Sequence, residues 1–140
     1  MPSDMKTSES DVDPRAYIAS VPNAGRQEDA VVLLEMMERE TGWPARMWGA
    51  SLIGFGKYQY TWADGSQHSC HRVGFSPRKA NMVVYVMPGV KRYEDILGGL
   101  GPYKSSVSCL YLGRFKNIDL TVLEKVIIAS VKDMARLHPE

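Results

Sequence analysis

Apolar and polar positions along this chain switch between two periods, and each switch marks an element. Ala30, Leu33, Leu34 and Met37 recur at i, i+3, i+4 and i+7. That spacing predicts an amphipathic helix over residues 27–40, stopped by Gly42 and Pro44. Ahead of it, Asp13 followed by Pro14 reads as an N-cap with proline at the first helical position. Tyr17, Ile18 and Val21 give that short helix its apolar face, and Pro22 ends it. A last helix is expected over residues 120–137, opened by Asp119 or by a Thr121-x-x-Glu124 capping box. Its buried stripe is Leu120, Leu123, Ile127, Val131 and Met134.

Between these helices the period drops to two. Tyr58, Tyr60 and Trp62 alternate with Lys57, Gln59 and Thr61, the pattern of a strand. The Asp64-Gly65 turn signal leads to a partner strand with His71, Val73 and Phe75 on one face, so the two are expected to form a hairpin. Residues 82–87 are continuously apolar and rich in β-branched side chains, which suits a central strand covered on both faces. Pro88-Gly89 ends it. A short helix near residues 93–97 runs into the Gly98–Pro102 breaker, and residues 107–112 read as one more strand. These elements predict an α+β fold: two layers, a mainly antiparallel sheet of about four to five strands, and helices packed on one face. Residues 1–12, polar and charged, read as a disordered leader, and residues 13–138 as a single domain.

Length and composition narrow the class. At 140 residues with 44% hydrophobic and 24% charged residues, the chain matches one globular domain. No apolar run nears the roughly 20 residues of a membrane-spanning helix, and the first ten residues have no signal-peptide core. The expected compartment is the cytoplasm, with no membrane partner. Cys70 and Cys109 fall in no CxxC pair, which removes zinc knuckles and thioredoxin-like motifs. The overall charge of +1 hides an asymmetry: residues 66–117 carry eight Lys or Arg against two acids, while the first 65 residues carry six against ten acids. A net charge near zero speaks against a nucleic-acid binder, but the basic middle segment marks where a working surface lies.

Five strings in order, Met47-Trp48-Gly49, Gly54-Phe55-Gly56-Lys57-Tyr58, Gly74-Phe75-Ser76-Pro77-Arg78-Lys79, Tyr85-Val86-Met87-Pro88-Gly89 and Ser108-Cys109-Leu110-Tyr111, resemble the markers of the YdhG-like family of bacterial proteins, also called domain of unknown function 1801. The resemblance covers about residues 15–131. It implies a small α/β domain of helices against an antiparallel sheet, and it brings in a distantly frataxin-like iron-chaperone role as an alternative function. The segment Gln67-His68-Ser69-Cys70-His71 departs from that pattern.

Candidate chemistry follows from charge and hydroxyls. Arg78 and Lys79 follow one strand, while Lys104, Ser105, Ser106 and Ser108 open another, and together they suit an anion, since guanidinium, ammonium and hydroxyl groups all donate to oxyanions. Trp48, placed in a glycine-bounded turn, together with Tyr58, Tyr60 and Trp62 offers the aromatic faces of a groove that would stack on a flat ligand or an unstacked base. The opposing reading makes Arg78 and Lys79 solvated turn residues and leaves Tyr58, Tyr60 and Trp62 as core. His68, Cys70 and His71 supply too few ligands for zinc, and without a GxxxxGK loop no cofactor is expected. For the iron role the available acids are Glu28, Asp29, Glu35, Glu38 and Glu40, but Glu28, Glu35 and Arg39 share the face opposite the apolar stripe and read as the solvated side of a helix with a Glu35–Arg39 pair. An enzyme would have to use Cys109 or Lys104, with His68, His71 and His138 as the only imidazoles. The sequence therefore points to a binding module for an anionic small molecule or an acidic partner segment, monomeric or paired through an exposed edge strand as a homodimer.

Overall fold

A computed structural model describes residues 9–49, 51–61 and 63–139. Trp62, expected at the end of a strand, and the first eight residues of the expected leader lie outside them. Its elements, in order, are β1 (Glu9–Ser10), α1 (Pro14–Ala19), α2 (Ala24–Thr41), β2 (Ala45–Trp48), β3 (Leu52–Phe55), β4 (Tyr58–Thr61), β5 (Gln67–Cys70), β6 (Val73–Pro77), β7 (Met82–Tyr85), α3 (Glu94–Leu97), β8 (Lys104–Ser105), β9 (Cys109–Leu112) and α4 (Leu120–Leu137). Single 3-10 turns precede α3 and α4.

The helices obey their sequence signals. Asp13 caps α1 by accepting from the Arg15 amide, with Pro14 at the first turn. Asn23, not the expected Gln27 region, opens α2 by accepting from the Arg26 amide, so the helix begins three residues early. Gly42, at φ 74°, ends it in the left-handed conformation that glycine adopts without strain. Asp119 alone caps α4, accepting from the amides of Thr121 and Val122, and the alternative capping box is not used.

The α+β class holds, with a sheet larger than expected. Seven strands run in the order β1-β2-β3-β6-β7-β9-β8, every pair antiparallel, and β4 and β5 form a separate two-stranded ribbon. Glu9 and Ser10 already pair with Trp48 and Met47, so the chain joins the sheet before Asp13. The expected hairpin is also redrawn. Strand β4 pairs with Gln67–Cys70, whereas Val73 and Phe75 belong to β6 in the main sheet. The chain breaks between them because Arg72 turns away. Its amide donates to the Phe55 carbonyl, and its guanidinium donates to the carbonyls of Lys57, Met134 and His138, clamping the end of α4.

One sheet face, carrying Met47, Ile53, Phe55, Val73, Phe75, Met82, Val84, Leu110 and Leu112, packs under α2 and α4 against Leu33, Leu34, Met37, Leu123 and Ile127 in one apolar core. Each of these large side chains stabilises the fold by roughly 1.5–3 kcal/mol through removal from water. No helix among the described residues is long and apolar enough to cross a membrane.

Candidate anion-binding groove

Register decides which side chains share the second sheet face. Gly54, Gly74, Tyr85 and Cys109 stand opposite one another in sequence across β3, β6, β7 and β9, and Ser76, Val83, Tyr111 and Lys104 do the same one step along. Arg78, two residues past Ser76, folds back over this face, donating through Nε to the Ser76 hydroxyl at 3.4 Å and through Nη2 to the Tyr85 hydroxyl at 2.9 Å. The Ser106 hydroxyl lies 3.2 Å from that of Tyr111. None of these positions is acidic. Burial raises the Tyr85 phenol pKa, against the opposing pull of the Arg78 charge.

Arg78 and Lys104 thus share a face without closing on one small ion. The end of β6 and β8 are separated by three strand spacings, roughly 14 Å, and the Arg78 fork is already committed to Tyr85. Ser108 precedes β9, where its carbonyl accepts from the Val86 amide at 2.7 Å. Trp48 is not in a turn. It is the last residue of β2 and only 3% exposed, with its indole edge over Gly54, so it cannot line an open groove. Tyr58 sits on the ribbon instead, its ring 4.4 Å from that of His138, and burial lifts its phenol pKa to about 12. Tyr60, also on the ribbon, stacks on His68.

Lys79 goes the other way from Arg78. It borders a groove of about 580 Å³ with Pro77 on one side and Tyr17, Ser20, Pro22 and Asn23 on the other. The groove therefore runs between the end of β6 and the junction of α1 with α2, reaching Asn23, the N-cap whose side chain accepts from the Arg26 amide. No acid lines it. Burial raises the Tyr17 phenol pKa, against the opposing pull of the Arg78 charge, but the Arg78 side chain itself stays with Ser76 and Tyr85 and does not line the groove. The sequence reading missed Tyr17, Ser20 and Asn23 because they lie more than fifty residues upstream of Lys79.

Four of the acids considered for iron, Glu28, Asp29, Glu38 and Glu40, are spent on cations. Asp29 is 5% exposed and accepts at 3.0 Å from both Arg114 Nε and the Phe115 amide. Glu28 faces Arg114, Glu38 pairs with Arg15, and Arg39 pairs with Glu40 and Glu124 instead of Glu35. Among the described residues no group of three or more His, Cys, Asp or Glu is arranged to hold a metal ion. Cys109 lies half-buried opposite Tyr85. Buried His71 packs edge-on to Trp48 and Tyr85, and desolvation pulls its pKa down to about 4.

Compared with models of protein families, with curated proteins and with solved structures, the chain matches none.

Proposed function

We propose that this protein is a small cytoplasmic binding module that takes an anionic small molecule in the groove between β6 and the α1–α2 junction. The observation that carries this reading is the company of Lys79: a half-enclosed space of about 580 Å³ that also holds the N-cap of α2, a serine and a tyrosine, and no carboxylate. Helix N-termini favour anions through their dipole, and the Lys79 ammonium adds a positive charge at the same groove. The size suits a metabolite rather than a macromolecule. The resemblance to the YdhG-like family accords with a small α/β domain, and two unpaired cysteines accord with a reducing compartment.

Thermal-shift screening with anionic metabolites at constant ionic strength tests it. A rise in melting temperature that Lys79→Ala abolishes and Lys104→Ala leaves intact supports the groove. If no anion raises the melting temperature, the reading fails.

A further inference from the structure

A second cavity, of about 700 Å³, lies between the β4–β5 ribbon and the end of α4 and shares no lining residue with the groove beside Lys79. Flat rings border it. Trp43, which follows Gly42 at the end of α2, lies over Gly56, whose φ of 68° and missing side chain make room for the indole: a Cβ there would stand 2.6 Å from Trp43 Cε3. Tyr58 opens β4, and its ring lies 4.4 Å from that of His138, the residue that ends α4. All three rings line the cavity. The aromatic faces expected around Trp48 are thus found here, with Trp43 and His138 beside Tyr58.

The polar groups of this cavity decide against an ion. Arg72 borders it but is only 2% exposed, and its charge is already met by the carbonyls of Lys57, Met134 and His138, at the negative end of the α4 dipole. Lys57 is exposed and itself engaged, and no acid lines the space. What remains on offer is uncharged. Gln59 and Ser69 stand directly opposite each other across the ribbon, so an amide and a hydroxyl sit side by side. Burial pushes the Tyr58 phenol pKa up to about 12, which keeps it a neutral donor. Among the described residues no side-chain hydrogen bond ties up Tyr58, Gln59 or Ser69.

We propose that this cavity binds an uncharged planar heteroaromatic ring of the purine type, as the free base or its nucleoside. Tryptophan and tyrosine rings stack on the π-face of any base. A purine edge carries donors and acceptors in alternation, and a glutamine amide both donates and accepts, as it does toward N6 and N7 of adenine. A purely apolar ring would strip water from the Gln59 amide and the Ser69 hydroxyl without replacing its hydrogen bonds. An anion would meet the carbonyl end of α4. The volume suits a base with its sugar.

The test is titration of the whole chain with adenine and with adenosine, against ribose and benzyl alcohol as controls, read by amide chemical shifts and by tryptophan fluorescence. Both purines are expected to bind saturably, to move the amides of Gln59, Ser69 and Leu137 while those of Ala24 and Lys79 stay still, and to quench fluorescence that Trp43→Phe removes. Tyr58→Leu is expected to bind about tenfold more weakly or worse through lost stacking, and Tyr58→Phe, which keeps the ring, to stay within about fivefold of the wild type. Gln59→Ala changes an exposed residue outside the core, so it tests the site even if Tyr58→Leu does not fold; it is expected to weaken adenine about threefold to tenfold. Tighter binding of adenosine marks a nucleoside site, and equal or weaker binding marks the free base. Benzyl alcohol binding as tightly as adenine overturns the polar edge and with it the ligand class. Shifts at Ala24 and Lys79 in place of Gln59 and Ser69, Gln59→Ala and Tyr58→Leu both binding as the wild type does, or no saturable binding of either purine overturns the site.

Discussion

Gly54 and Gly74 face each other directly across β3 and β6, and the ring of His71 lies over the bare backbone between them. A Cβ on Gly54 would stand 2.6 Å from the His71 Cβ and 2.7 Å from Trp48 Cδ1, and one on Gly74 would stand 2.6 Å from the Ile53 carbonyl. The clash at Gly54 is with side chains and the one at Gly74 is with backbone. Gly54→Ala is therefore expected to destabilise by about 1–3 kcal/mol through overpacking, and Gly74→Ala by more. Urea unfolding midpoints measure both, and a Gly74→Ala variant as stable as the wild type contradicts this packing.

His71 ties stability to pH. Burial lowers its pKa from 6.5 to about 4, so between those values the unfolded chain holds a proton that the folded chain refuses. Stability from this residue is complete above about pH 6.5 and is lost as pH falls toward 4, by about 3 kcal/mol in all. His71→Phe keeps a flat ring and is expected to flatten the pH dependence of the unfolding free energy in that window. An unchanged slope rules out His71 as its source.

Asp29 joins α2 to the segment before α4. Its Oδ2 serves Arg114 and the buried Phe115 amide together, so Asp29→Ala leaves a buried donor without an acceptor. We expect a loss of about 2–3 kcal/mol in denaturant unfolding. Arg114→Met is expected to cost less, because it leaves the Phe115 amide bonded. The opposite ranking contradicts the assignment.

Arg72 clamps the end of α4 through carbonyls of Met134 and His138. Arg72→Lys replaces a five-donor fork by a single ammonium, and is expected to speed amide exchange over residues 134–138 while leaving α2 unchanged. Equal exchange in the two proteins shows that the clamp is not needed.

Helices and fold class were legible because their signals are local: the stripe of α2, the Asp13-Pro14 start and the Asp119 cap all lie within one or two turns. Strands β2 and β3 were not. Their alternation is hidden by Gly54, whose missing side chain is replaced by Trp48 and His71 from elsewhere, so Trp48 read as part of a turn. The β5–β6 boundary was lost for a related reason, since what ends β5 is the reach of Arg72 to a helix sixty residues away. At the site, Lys79 and Arg78 were visible as cations after a strand, but which face each takes depends on the turn, and their groove partners come from α1 and α2. The stripe of Ala30, Leu33 and Met37, extended back one turn, lands on Arg26, a cation where an apolar residue belongs.

The central claim is that an anion is held at the α1–α2 junction and not across the second sheet face. Amide chemical shifts followed by NMR during titration with inorganic phosphate at fixed ionic strength test this most directly. We expect the amides of Ala24, Gly25 and Lys79 to move along one saturating curve while those of Lys104 and Ser106 stay still. Movement confined to Lys104 and Ser106, or no saturable movement anywhere, contradicts it.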